Sequence, residues 1–279
     1  MSTSQTWFIT GASQGLGLAL VQQLRQQGHR VAATSRRPAD LIRAVGPASA
    51  DFLPLHVDLA SEASVQQAVA QAISAFGRLD VVVNNAGYGI GGSIEELTDA
   101  ETRQAFDVNV FGMLHVIRHV MPQLRAQGAG HIINVSSIAG LAPNAGWSIY
   151  AATKFAVEGP SDVLAQDAAP FGVKVTIVEP GAFRTNFLSP ESLIMAAQPV
   201  PAYAAVRASH EKYLAMNGAQ AGDPAKAAAA IIRVAGEAHP PLRLLLGQDA
   251  YDRAQHKLDA LREEFQAWRA LTVSTGINQ

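Results

Sequence analysis

The sequence predicts one α/β domain, a doubly wound parallel sheet of about seven strands with helices on both faces. Three observations carry this. Short β-rich runs alternate with longer helical patterns along the chain. Several of the runs are continuously apolar, VVV at 81–83, HIINV at 131–135 and VTIV at 175–178, as strands buried on both faces require. No linker, repeat or low-complexity tract divides the 279 residues, a length that one large domain accommodates.

Strands are expected at 6–10, 30–35, 51–57, 79–84, 131–136, 173–179 and 242–246. Helices are expected at 15–27, 61–76, 99–127, 148–169, 223–236 and 249–270. Right-handed crossovers between parallel strands place the helices on both faces. One stretch, 186–218, breaks the alternation. It is apolar and Pro-punctuated (FLSPESLIMAAQPVPAYAAV), which predicts a lid or binding loop. A C-terminal extension at about 248–272 reads as an amphipathic helix.

Composition removes several classes of function. At 48% hydrophobic and 16% charged residues, the chain is not a disordered segment. Its 21 basic and 23 acidic residues give a net charge of −2, which is no footprint for nucleic acid or an anionic membrane. The absence of cysteine excludes disulfides, thiolate zinc sites, iron–sulfur clusters and thiol nucleophiles. No basic, apolar leader opens the chain, and no apolar run approaches the roughly 18 residues of a membrane span. A cytoplasmic protein is the expectation. His115 and His119 stand at i, i+4, but HVIRH lacks the glutamate of H-E-x-x-H. They read as a half-exposed helix face, and no metal is expected.

The first strand runs into Thr10, Gly11, Ala12, Ser13, Gln14, Gly15, Leu16 and Gly17. Glycines at 11, 15 and 17 let the backbone turn tightly and approach a pyrophosphate, and the helix start supplies free N–H groups. An ordinary glycine-rich turn is the alternative. The second strand ends in Ser35, Arg36 and Arg37, where a carboxylate for a ribose hydroxyl is common. Two guanidinium groups there suit a 2′-phosphate, or else are solvated surface charges. Asp58 after the third strand would hold an adenine edge or shape a turn. Asn84, Asn85, Ala86 and Gly87 end the fourth strand, where their small side chains leave room for a flat ligand or form a plain β-turn.

Tyr150 and Lys154 are the sharpest local pair. At i and i+4 they share one helix face, and an ammonium beside a phenol lowers the phenol's pKa. That makes Tyr150 a candidate general acid/base. Ser136 and Ser137 end the fifth strand thirteen residues earlier, where a hydroxyl reaches the same crevice or caps a turn.

Taken together and in order, TGASQGLG (10–17), NNAG (84–87), Asn109 in DVNVFG, Ser137 in NVSSIAG, YAATK (150–154) and PGAFRT (180–185) resemble the short-chain dehydrogenase/reductase family in its compact, single-domain branch. The resemblance covers roughly residues 5–186 and implies a Rossmann-type fold. It implies a catalytic tetrad of Asn109, Ser137, Tyr150 and Lys154, with Asn109 anchoring a water and Lys154 binding the nicotinamide ribose. Pro180, Gly181 and Thr185 would meet the nicotinamide, with Thr185 on its carboxamide. With Arg36 and Arg37 the expected cofactor is NADP(H). The expected activity is that of a carbonyl reductase or alcohol dehydrogenase acting on a largely apolar small molecule. An epimerase, an enoyl reductase or a non-catalytic NADP(H) sensor is the alternative.

Leu141, Trp147, Phe183, Phe187, Leu188, Ile194, Met195 and Tyr203 are expected around the substrate. No Arg or Lys occurs from 186 to 206, which disfavours a strongly anionic substrate. The family likeness also implies a homodimer, a tetramer less so. Pro160 in the tyrosine-bearing helix and the C-terminal extension both depart from the family pattern and bear on those interfaces.

Overall fold

The computed structural model describes residues 4–277. In chain order the elements are β1 (Thr6–Ile9), α1 (Gly15–Gln26), β2 (Arg30–Ser35), α2 (Pro38–Val45), β3 (Phe52–His56), α3 (Glu62–Phe76), β4 (Val81–Asn84) and β5 (Gly89–Gly91). Then follow α4 (Asp99–Phe106), α5 (Gly112–Gln127), β6 (Gly130–Val135), α6 (Ser148–Ala168), β7 (Val173–Pro180), β8 (Leu193–Met195), α7 (Ala204–Ala215), α8 (Pro224–Ala235), β9 (Arg243–Leu246), α9 (Gln248–Ala267) and α10 (Arg269–Val273).

Seven strands form one parallel sheet in the order β3-β2-β1-β4-β6-β7-β9. Alternate residues of each strand enter opposite cores, which is why the strands are continuously apolar. Trp7, Ile9, Val81 and Val83 pack with Leu20, Leu24, Ile231 and Val234 on one face. Phe8 and Val82 pack with Val69, Val116, Val120 and Leu124 on the other. The strand order reverses between β1 and β4, so a crevice opens at the carboxyl ends of these strands, where doubly wound folds bind ligands.

The structure departs from the sequence reading in three places. The 99–127 helix is interrupted by a π-helical turn at Asp107–Phe111, and π-turns recur at functional sites. Short α2 was not expected. Proline at its first position and Asp40 in its first turn start it, but its eight residues show too few turns of periodicity. Residues 186–218 are not one loop. They hold a 3₁₀ turn, β8 and α7, and β8 pairs in parallel with β5. By contrast, α6 runs through Pro160 to Ala168, within one residue of the expected 148–169.

The extension forms α9, which buries Ala250 and Ala254 against Ile138, Ala142 and Leu245. None of the described helices is long and apolar enough to cross a membrane.

Candidate active site

A cavity of about 1300 Å³ lies at the crevice. Its floor is the glycine-rich turn. Gly11 has φ +64° and Gly15 φ +56°, and a Cβ on Gly11 would stand 2.7 Å from Ala86 Cα. Gly17 has no room either, because a Cβ would meet Gly11 O at 2.5 Å and Asn85 Nδ2 at 2.6 Å. Thr10 Oγ1 accepts from the N–H groups of Asn85 and Ala86, both at 3.1 Å. Asn85 Nδ2 donates to the carbonyls of Thr10 and Gly11, both at 3.0 Å. The turn after β1 and the turn after β4 are thereby locked together. Gln14 caps α1 without any side-chain bond, so the first N–H groups of that helix remain available to an anion.

Ser13, Gln14, Gly15, Leu16, Ser35, Arg36, Asp58, Ala86 and Gly87 all border the cavity. Ser35 Oγ lies 3.2 Å from Ser13 Oγ and accepts from Arg37 N–H at 3.1 Å. Arg37 ion-pairs with Asp40 at 3.0 Å and is 79% exposed, so it borders only an adjoining surface pocket, which Arg36 also lines. Asp58 shapes the turn after β3, its Oδ1 accepting from Ala60 N–H at 3.0 Å, and it borders the cavity.

At the other end Ser137, Tyr150 and Lys154 border the same cavity with Pro180, Gly181 and Thr185. Ser137 caps a 3₁₀ turn, its Oγ accepting from Ala139 N–H at 3.1 Å. Lys154 Nζ donates to Val135 O at 3.0 Å and stands 5.8 Å from the centre of the Tyr150 ring. Asn109, carried on the π-turn, clamps Tyr88. Its Oδ1 accepts from Tyr88 N–H at 3.0 Å, and its Nδ2 donates to Tyr88 O at 2.9 Å and Thr153 Oγ1 at 3.2 Å. A Cβ on Gly87 would stand 3.1 Å from Asn109 Oδ1 and 3.7 Å from Lys154 Nζ. Asn109 is therefore beside the lysine, but its amide is spent on the backbone. Thr185 Oγ1 accepts from Phe187 N–H at 3.3 Å.

Burial corrects one electrostatic expectation. The Tyr150 phenol is pushed up to about 12 by desolvation, with the Ser137 hydroxyl pulling the other way. Burial draws Lys154 down to about 8, opposed by the charge of Glu158. Desolvation of the buried phenol thus sets the direction of its shift, and the ammonium expected to lower it stands 5.8 Å from the ring centre.

Several site residues were invisible to sequence reasoning. Gln14 Nε2 donates to Ser192 Oγ at 2.9 Å, tying the glycine-rich turn to the 186–218 segment. Asp249 Oδ2 accepts from Ala182 N–H at 2.8 Å and holds the loop after β7. Gln220, Lys212, Tyr213 and Arg253 also border the cavity. These residues come from α7, the turn after it and α9, far from any motif. The one available signal was the spacing of Asp249 and Arg253 around the buried Ala250 and Ala254. His115 and His119 lie apart from the cavity, on Leu59 O at 3.1 Å and Glu62 at 3.3 Å.

A Rossmann-type sheet, a glycine-lined cradle and a Ser–Tyr–Lys group on one cavity wall define the class of dinucleotide-dependent oxidoreductases. The family model described as short chain dehydrogenase matches residues 5–193, and the chain belongs to that family. It is 37% identical over 273 residues to "Oxidoreductase BOA17" of Botryotinia fuckeliana, covering 98% of this chain and 99% of the relative. It is 38% identical over 243 residues to a 3-ketodihydrosphingosine reductase of Bacteroides thetaiotaomicron, covering 87% and 88%. A short-chain dehydrogenase structure from Streptomyces avermitilis superposes with TM-score 0.90 at 38% identity over 99% of this chain and 100% of that one. A Burkholderia phymatum member in complex with NAD does so with TM-score 0.82 at 26% identity, covering 95% of each.

Proposed function

We propose that the chain is an NADP(H)-dependent carbonyl reductase or alcohol dehydrogenase for a largely apolar small molecule, working as a homodimer. The single observation behind this reading is the convergence of Ser137, Tyr150 and Lys154 on one cavity with the glycine cradle. The ketone reductase among its relatives points the same way.

Gly11 and Gly17 leave no room for a side chain against Ala86, Asn85 and the Gly11 carbonyl, which keeps the turn tight, and a tight turn with free helix N–H groups suits a dinucleotide. Gly15, Leu16 and the start of α1 would hold the pyrophosphate, Ser13, Ser35 and Arg36 the 2′-phosphate, and Asp58 the adenine edge. Arg37 would act there more weakly, being shared with Asp40. Asn85, Ala86 and Gly87 would line the cofactor, Lys154 would bind its ribose, and Pro180, Gly181 and Thr185 would meet the nicotinamide. When bound, the nicotinamide supplies the hydride chemistry.

Ser137 donates a hydrogen bond to the substrate oxygen and polarises it. Tyr150 gives its phenolic proton to that oxygen as it becomes an alkoxide, or takes it back in oxidation. A phenol held near 12 is fully protonated at neutral pH, the state needed for reduction. Asn109 fixes the Tyr88 backbone and the lysine's side of the site. Exposed Phe155 and Val163 on α6 would lie in the dimer contact.

The test is Tyr150→Phe against a panel of ketones. Cofactor binding, read by NADPH fluorescence, is expected to persist while turnover falls by about two orders of magnitude or more, the usual worth of general acid–base catalysis. Turnover near the wild-type rate would overturn the reading.

A further inference from the structure

The substrate end of the cavity carries a group of hydrogen-bond donors that the proposed reaction does not use. Gln220 is 3% exposed and borders the cavity, yet neither its Oε1 nor its Nε2 has a partner among the described residues. Trp147, 6% exposed on the same wall, leaves its Nε1–H unpartnered. The Trp147 ring packs edge-on against Tyr213 at 5.1 Å. Tyr213 Oη accepts from Asn144 Nδ2 at 2.7 Å and from Arg253 Nη1 at 3.4 Å. Arg253 also donates to Ala142 O. Three parts of the chain, the 141–147 loop, α7 and α9, therefore meet at one point of the wall.

Two positive charges stand there. Arg253 and Lys212 both border the cavity. Among the described residues neither has a carboxylate within 4.0 Å. Asp249, one turn before Arg253 on α9, is the opposing charge on this wall, and it is occupied with Ala182 N–H. A half-buried guanidinium with neutral partners only, and orphaned buried donors lining the same cavity, both cost stability unless a ligand completes them.

We propose that this end of the cavity binds an anionic head group, so that the substrate is an apolar carbonyl compound ending in a carboxylate. The inference rests on the carbonyl-reductase reading for the other end of the cavity. It reverses the expectation from residues 186–206, because the cations come from α7 and α9 instead. Arg253 and Lys212 supply charge, and Gln220 and Trp147 supply directed donors. The apolar wall between them and Tyr150, with Phe187 5.7 Å from the Tyr150 ring, takes the hydrocarbon body.

The test measures binding, independently of turnover. Octanoate, octanamide and octylamine are titrated calorimetrically into the protein, alone and with NADP⁺. Octanoate is expected to bind about tenfold or more tightly than octanamide, as one charge-assisted contact of about 1.5–3 kcal/mol implies. The Arg253→Gln, Lys212→Gln double variant is expected to bring octanoate down to the affinity of octanamide, while Arg253→Lys retains part of the preference. Gln220→Leu is expected to raise Tm without ligand and to weaken octanoate, a pairing that a purely structural glutamine would not show. Equal affinity for octanoate and octanamide, survival of the preference in the double variant, or tightest binding of octylamine would each overturn the proposal. Octanoate preference with no carbonyl turnover would sink the reductase reading and leave the head-group site standing.

Discussion

Glu158 lies one helical turn beyond Lys154 on the buried face of α6, and its charge is what opposes the loss of the lysine's proton. The glutamate is not alone. It faces Ser136, and Arg243 of β9 reaches it at 3.3 Å, Asp162 at 2.7 Å and Glu179 at 3.4 Å. Three carboxylates share one guanidinium, so burial and mutual repulsion raise Glu158 and bring Glu179 up to about 7. For reduction, kcat/KM is expected to fall above about pH 8, where Lys154 gives up its proton. Glu158→Gln removes the opposing charge and moves that break to lower pH. A break that stays in place or moves upward would show that Glu158 does not act on the lysine.

Arg36 should decide the cofactor. It borders both the main cavity and the adjoining pocket, and among the described residues it has no ion pair of the kind that ties Arg37 to Asp40. One charge-assisted bond to a 2′-phosphate is worth roughly 1.5–3 kcal/mol, or about ten- to a hundredfold in preference. Ser35→Asp with Arg36→Leu is expected to turn the preference toward NAD. A wild-type ratio of kcat/KM for NADPH over NADH at or below one would refute the assignment.

The 186–218 segment should behave as a lid with a fixed base. Glu96 holds that base, accepting from Val200 N–H at 2.8 Å and from Arg207 at 2.5 and 2.7 Å. These bonds and that of Ser93 bring its pKa down to about 2. The contribution of a lowered carboxylate is complete above its ordinary range and lost only as pH falls toward 2. Hydrogen exchange is expected to show protection rising across 186–218 on cofactor binding, transmitted through Gln14 and Ser192. Glu96→Gln should speed exchange in α7 but not in α1. Equal, strong protection with and without cofactor would mark the segment as a rigid wall.

Two buried groups should give opposite pH dependences of stability. His131, on Thr176 Oγ1 at 3.0 Å, is lowered by burial from 6.5 to about 4. The unfolded chain therefore binds its proton first, and stability is lost as pH falls from about 6.5 to about 4, by up to about 3 kcal/mol. Glu179, raised to about 7, takes up its proton first in the folded state, so it adds stability as pH falls from about 7 toward 4.5. Denaturant titrations from pH 7 to 4.5 should show His131→Leu gaining and Glu179→Gln losing stability on acidification relative to wild type. Parallel curves for all three would disprove the shifts.

The parallel sheet was legible from sequence because strands buried on both faces must be apolar throughout, as in VVV and HIINV, and no other element reads that way at that length. The glycine-rich turn at the cavity floor was legible because close backbone approach demands glycine at set spacing, and the pairing of Tyr150 with Lys154 because helical geometry makes i, i+4 neighbours. These are local constraints, and a local constraint leaves a local pattern. Tertiary structure alone decided the rest. The π-turn that aims Asn109, the β5–β8 pairing, the raised Tyr150 phenol, the contact of Trp147, Tyr213 and Arg253, and the presence of Lys212 and Gln220 on the same cavity depend on which distant segments exclude water from one another. Desolvation and charge pairing act through space, so their strength is set by packing that no neighbouring residue in the chain records.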